Sequence, residues 1–196
     1  MRRRALVTAL LFTATVSPGA AQITDQERER LVAHLEMTSG WFLDEVSKLS
    51  QAQLVFRRAP NTWTILEVIE HLVVVGPIYW EDLQRGVRGK PIGRSLASGD
   101  ATILWYGINR TYREPALTSE SPQGQLRDLE TGLADYRKHH ARLLQYIRMT
   151  KDDLRNRLVE RQGCDAYQWA LLISTHEQRH ILQIREIKAD AKFPPK

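Results

Sequence analysis

Capping boxes punctuate this chain, and each opens a run of apolar residues at helical spacing. Thr24-Asp25-Gln26-Glu27, Thr64-Ile65-Leu66-Glu67 and Asp165-Ala166-Tyr167-Gln168 all place a side-chain acceptor at a helix start and a Glu or Gln three residues later. The two side chains satisfy each other's free backbone amides. After the first box, Leu31, Leu35, Thr38, Phe42 and Val46 fall on one face of a helix expected to reach about Leu49. The second box leads "ILEVIEHLVVVGPIYWEDL" to about Leu83, with a kink expected at Gly76-Pro77. Ser121-Pro122 reads as an N-cap followed by a first-turn proline, opening a third helix to about Met149. The last box leads "WALLISTHEQRHILQIREIK" to about Ala189. Ser50 to Gln53 suits a short helical turn, and strand signals are few. The prediction is all-α: four long amphipathic helices in a bundle, with a long connection between the second and third, from Gly86 to Pro115. That connection is the least regular stretch, with one short helix expected around Ile103-Leu104-Trp105-Tyr106.

The N-terminus follows a different pattern. Arg2, Arg3 and Arg4 precede an apolar run from Ala5 to Val16, and Pro18-Gly19-Ala20-Ala21 supplies a breaker and small residues. This is the layout of a signal peptide over residues 1–21, leaving a mature domain of residues 22–196. At roughly a dozen residues the run is short for a bilayer span of ~20. No later stretch is apolar enough to span, so no stable membrane span is expected in the mature form. The expected location is outside the cytoplasm, periplasmic or secreted. The formal charge is +5, and without those three arginines 25 basic residues face 23 acidic ones, a net +2. Nucleic acid is therefore not an expected partner. Cys164 is the only cysteine, so no internal disulfide is available.

The histidines carry the chemistry. His176 and His180 are four residues apart, so both rings leave one face of the last helix. That face also holds Trp169, Ile173, Ile184 and Ile187. Two imidazoles at this spacing suit one metal ion. The string H-E-Q-R-H matches a zinc-protease pattern by letters, with Glu177 as the base. The absence of a neighbouring strand signal argues against a protease, and Glu177, beside Arg179, is expected to face solvent. His71 lies mid-helix among Val68, Val75 and Ile78 and is either a hydrogen-bonded core histidine or a third ligand. His139-His140 sit among Arg137, Lys138 and Arg142 and are expected on the surface. His34, near the Leu31/Leu35 stripe, is an outside candidate for a fourth ligand. Trp63 and Trp169 are expected as core anchors.

"NTWTILEVIEHLVVV" and "AYQWALLISTHEQRHILQI" together resemble the two signature regions of the DinB/YfiT-like superfamily. The resemblance extends in order and spacing from about Thr24 to Ala189. It implies an up-down-down-up four-helix bundle. It also implies a divalent metal, zinc or nickel, held by His71, His176 and His180. Three neutral imidazoles leave the ion open to water or substrate, which suits a metal-dependent hydrolase or transferase acting on a small molecule. The alternative is a non-catalytic metal- or ligand-binding bundle. Relatives include thiol-dependent transferases, but their thiol cofactors are mainly cytoplasmic, which sits poorly with a signal peptide. Glu67, Glu70 and Gln183 are candidates to orient an imidazole or to meet the ligand. Members of the superfamily often pair through bundle faces, so a homodimer is one expected assembly.

Overall fold

The computed structural model describes residues 22–92, 96, 98–113, 115–126 and 128–195. The signal-peptide segment expected at 1–21 lies outside them.

Six helices are present among the described residues: α1 (Asp25–Val46), α2 (Gln51–Leu54), α3 (Ile65–Arg88), α4 (Asp100–Ile108), α5 (Leu129–Met149) and α6 (Ala166–Lys188). The four predicted boxes and caps at Thr24, Ser50, Thr64 and Asp165 all form, each side chain accepting from the amide three residues on. α3 runs unbroken through Pro77 and ends more than a turn beyond the expected Leu83.

Cross-helix contacts fix the directions of the four long helices. Tyr167 reaches the Glu27 carbonyl at one end of the α1–α6 pair, and Arg185 pairs with Glu45 at the other, so α1 and α6 are parallel. The Trp169 indole donates to the Tyr79 carbonyl while His71 meets His176, so α3 and α6 are antiparallel. Gly76 packs on His139 and Trp80 on Tyr146, so α3 and α5 run the same way. The bundle is therefore up-down-down-up. Parallel neighbours cannot be joined by a tight turn, and this is why the chain needs its long second connection.

The third long helix starts later than expected. Ser121-Pro122 does not open it; Asp128 caps it, accepting from the Thr131 amide at 2.7 Å. The Glu70 carboxylate on α3 accepts from the Gln123 and Gln125 amides at 2.7 and 2.9 Å, which holds residues 121–126 in a loop. Gly124, at φ 74°, makes the turn between those two amides. Within the long connection, α4 packs along α6, and Gly107 permits the approach: a Cβ there would lie 3.0 Å from the Thr175 Cβ. Residues 151–165 form a 3₁₀ turn and a two-residue hairpin, β1 (Leu158–Val159) against β2 (Cys164–Asp165). Arg155 binds this region to α1 and α4, contacting Glu27, Asp100 and Asp165 at 2.7, 2.7 and 3.2 Å.

The apolar core is two clusters. One gathers Leu31, Leu35, Val75, Leu83, Ile147 and Trp169; the other gathers Phe42, Val46, Ile65, Ile69, Tyr136 and Ile184. Between them every long helix contributes polar side chains: Thr38 and Ser39 from α1, His71 from α3, His139 and His140 from α5, and Ser174 to His180 from α6. This polar layer crosses the bundle at mid-height.

Candidate metal centre

One turn of α6 separates His176 from His180, and the antiparallel α3 brings His71 to the same point. The Nε2 atoms of His71 and His180 lie 3.2 and 3.1 Å from the Nε2 of His176. All three side chains are buried, and one potential ligand atom from each falls within 4.8 Å of the others. Their far nitrogens meet acceptors. The His71 Nδ1 donates to the Glu120 carbonyl at 2.7 Å, and the His180 Nδ1 donates to the Gln183 Oε1 at 2.9 Å. A neutral imidazole carries one proton, so these two rings present bare lone pairs at Nε2. His176 has one proton at most to share between them. A cation satisfies all three lone pairs at once, so the donor set fits a metal ion. Burial depresses the basicity of all three rings, and the neighbouring imidazoles and arginines depress His176 and His180 further, so the rings are held neutral.

The carboxylates proposed as orienting groups act at a distance from the rings. Glu67 completes the α3 capping box and pairs with Arg57 at 2.7 Å. Glu70 is buried and holds the 121–126 loop; the same loop region presents the Glu120 carbonyl to His71. Gln183 is the one of the three that touches an imidazole. Trp63, expected as a core anchor, is half-buried and forms a wall of the site. Its ring stacks on His180 at 6.1 Å between centroids and 14° between planes, and tilts against His71 at 5.0 Å. Trp169 is fully buried, as expected of an anchor.

Three other expectations need correction. Glu177 does not face solvent: it is buried, accepts from the Tyr136 hydroxyl, and receives the Thr38 hydroxyl at 3.2 Å. It sits one residue from His176, so it turns about 100° away around the helix, and burial pushes its carboxyl up to about 8. His139 and His140 are half-buried rather than on the surface, and the His140 Nε2 meets the Leu35 carbonyl at 3.1 Å. His34 is no fourth ligand; its Nδ1 is 2.7 Å from the Ser174 hydroxyl, which in turn is 2.8 Å from that of Thr38. A helical wheel reads polar residues as outward, and the mid-bundle polar layer defeats that rule.

A cleft of about 790 Å³ opens over the three imidazoles. Its walls are the loop before α3, α4 with the segment that follows it, the Glu120 loop and α6. Arg58, Arg110, Arg113, Arg161 and Arg179 line it, against Glu120 and Glu186. Arg179, between the two α6 histidines, is bonded to the carbonyls of Tyr106, Asn109 and Tyr112, which ties the segment after α4 to the site. Sequence reasoning missed these arginines and the Glu120 carbonyl. The run Arg110-Thr-Tyr-Arg113 was the available signal for the first; a backbone carbonyl leaves none. A smaller cavity of about 60 Å³ lies on the far side of His176, among Leu72, Val75, Tyr136 and Leu143.

The sequence profile of the DinB superfamily matches residues 23–184. No curated protein matches the chain by sequence. Among solved structures, YfiT from Bacillus subtilis is similar, with a TM-score of 0.58 at 16% identity over 86% of this chain and 89% of that one. YfiT is described as a probable metal-dependent hydrolase with an unusual four-helix bundle topology. At that identity the likeness speaks for the fold.

Proposed function

The chain belongs to the DinB superfamily, and from that premise we propose that His71, His176 and His180 hold one divalent metal ion, zinc or nickel, in a metal-dependent hydrolase or transferase acting on a small molecule. One observation carries the reading: three buried imidazoles converge through Nε2 while two have their other nitrogen committed to fixed acceptors. A divalent ion there supplies Lewis acidity and open positions for water or a substrate atom. The chain's own groups do the rest. Gln183 and the Glu120 carbonyl hold two rings in one tautomer, Trp63 covers two of them against solvent, and the cleft admits a small molecule.

The test is metal content. Purified protein is expected to carry about one equivalent of a transition metal, and His71→Ala, His176→Ala and His180→Ala to lose it. Protein without metal, whose melting is unchanged by zinc or nickel, overturns the reading. Turnover in an esterase, amidase and thiol-transfer screen, abolished in His176→Ala, separates an enzyme from a non-catalytic binder. That second reading draws on Glu177, which is engaged with Tyr136 and Thr38 instead of facing the cleft, so the base of the letter pattern is not at hand. We also propose export, on residues 2–21 of the sequence alone; N-terminal sequencing of protein recovered outside the cytoplasm is expected to begin near Gln22.

A further inference from the structure

The cleft has a cationic rim for which the metal site has no use. Arg58 comes from the loop after α2, and Arg110 and Arg113 from the segment after α4; all three converge on Glu186 of α6. Arg110 lays Nε and Nη2 on the two carboxylate oxygens at 3.1 and 3.3 Å. Arg58 donates to the Glu186 carbonyl at 3.3 Å and lies 4.0 Å from Asp190. The Arg113 side chain is 61% exposed and stands 3.8 Å from Glu186, beyond hydrogen-bond length. Burial alone would raise the Glu186 carboxyl, but the Arg110 hydrogen bonds, then the charges of Arg110, Arg113 and Arg58, outweigh it and hold it low.

Three guanidiniums thus face the cleft around a single lining carboxylate, with Asp190 behind Arg58. The opposite wall differs: there Arg161 is taken up by Asp82 and Glu120. Guanidinium forks match the geometry of carboxylate and phosphate oxygens. Glu186 lies six residues beyond His180, ~9 Å along the helix at 1.5 Å per residue.

We propose that Arg58, Arg110 and Arg113 form an anion subsite, so that the molecule bound in the cleft carries a carboxylate or phosphoryl group ~9 Å from the part that reaches the imidazoles. As a statement about substrate, this rests on the cleft being the reaction site. The anion binding itself is separable from the metal.

The experiment is calorimetric titration with inorganic phosphate and with glutarate, in low and high sodium chloride. It is run on zinc-loaded protein, on His176→Ala, on Arg110→Ala/Arg113→Ala and on Arg113→Glu, whose exposed position leaves the fold intact. One of the two anions is expected to bind at low salt, and the stronger one identifies the ligand group. Affinity is expected to fall tenfold or more in both arginine variants and in high salt, while their zinc content stays at wild-type level. In His176→Ala the affinity is expected to stay within about threefold. No binding of either anion, or equal binding with and without the arginines, overturns the proposal. Arginine-dependent binding in protein that takes up no metal leaves the subsite standing and removes the metal reading. Arginine-independent binding in zinc-loaded protein does the reverse.

Discussion

An imidazole that is to hold a metal is only as good a ligand as the group that fixes its proton. For His180 that group is Gln183, one turn along the same helix. Gln183→Ala is expected to lower metal affinity about 10–100-fold, the usual cost of losing an orienting partner, with the fold unchanged. Competition against a chromophoric chelator measures it, and Glu67→Ala is the control expected to leave affinity unchanged, since Glu67 serves its capping box and Arg57. At Cys164, burial first, then the Asp165 charge, pushes the thiol up to about 12. Little thiolate exists near neutrality, so Ellman's reagent is expected to label the native protein far more slowly than the denatured one. Fast native labelling would contradict that burial. At this scale the i, i+4 pair on α6 was legible because helical geometry alone puts both rings on one face. The guanidinium rim is not, because its members come from two distant segments and gather on Glu186 of α6. The burial of Glu177 is not legible, because letters near an arginine suggest solvent, whereas Tyr136 and Thr38 arrive from other helices to satisfy it.

Helix starts are local events, and the boxes at Thr24, Thr64 and Asp165 could be read because donor and acceptor lie within four residues of each other. The start of α5 could not be read. Ser121-Pro122 offers a good local cap, but the Glu70 carboxylate, some fifty positions upstream, takes the amides of Gln123 and Gln125. Tertiary hydrogen bonds to a buried carboxylate prevail over a local preference. Glu70→Ala is expected to cost about 1–3 kcal/mol by leaving these amides unpaired. Hydrogen exchange at Gln123 and Gln125 should accelerate, and metal affinity should drop as the Glu120 carbonyl drifts from His71. Unchanged protection of both amides would refute the role of Glu70. The sequence marks α4 as one short helix but not its partner, since only Gly107 marks the line on which it meets α6.

Across the whole molecule, the polar layer separates two apolar clusters, so the bundle has no continuous greasy middle. A metal bound there links α3 to α6 through that layer. At free zinc 100 times its dissociation constant, stabilisation of about 2.7 kcal/mol is expected, a rise in melting temperature of roughly 5–10 °C for a domain of this size. Chelation should reverse it, and the triple His71→Ala/His176→Ala/His180→Ala variant should show no zinc dependence. A wild-type melting curve indifferent to zinc would count against a metal in the layer.

The parallel pairing of α1 with α6 also orders the protein's birth. Because the first helix lies against the last, a nascent chain cannot complete its bundle until nearly all of it has emerged. A polypeptide that stops before Ala166 keeps only α5 against part of the α1 stripe, lacks the α6 face that packs on the rest, and lacks two of the three imidazoles. Such fragments are expected to be digested faster than the full chain and to gain no protection from zinc, which limited proteolysis of a chain ending before Ala166 measures.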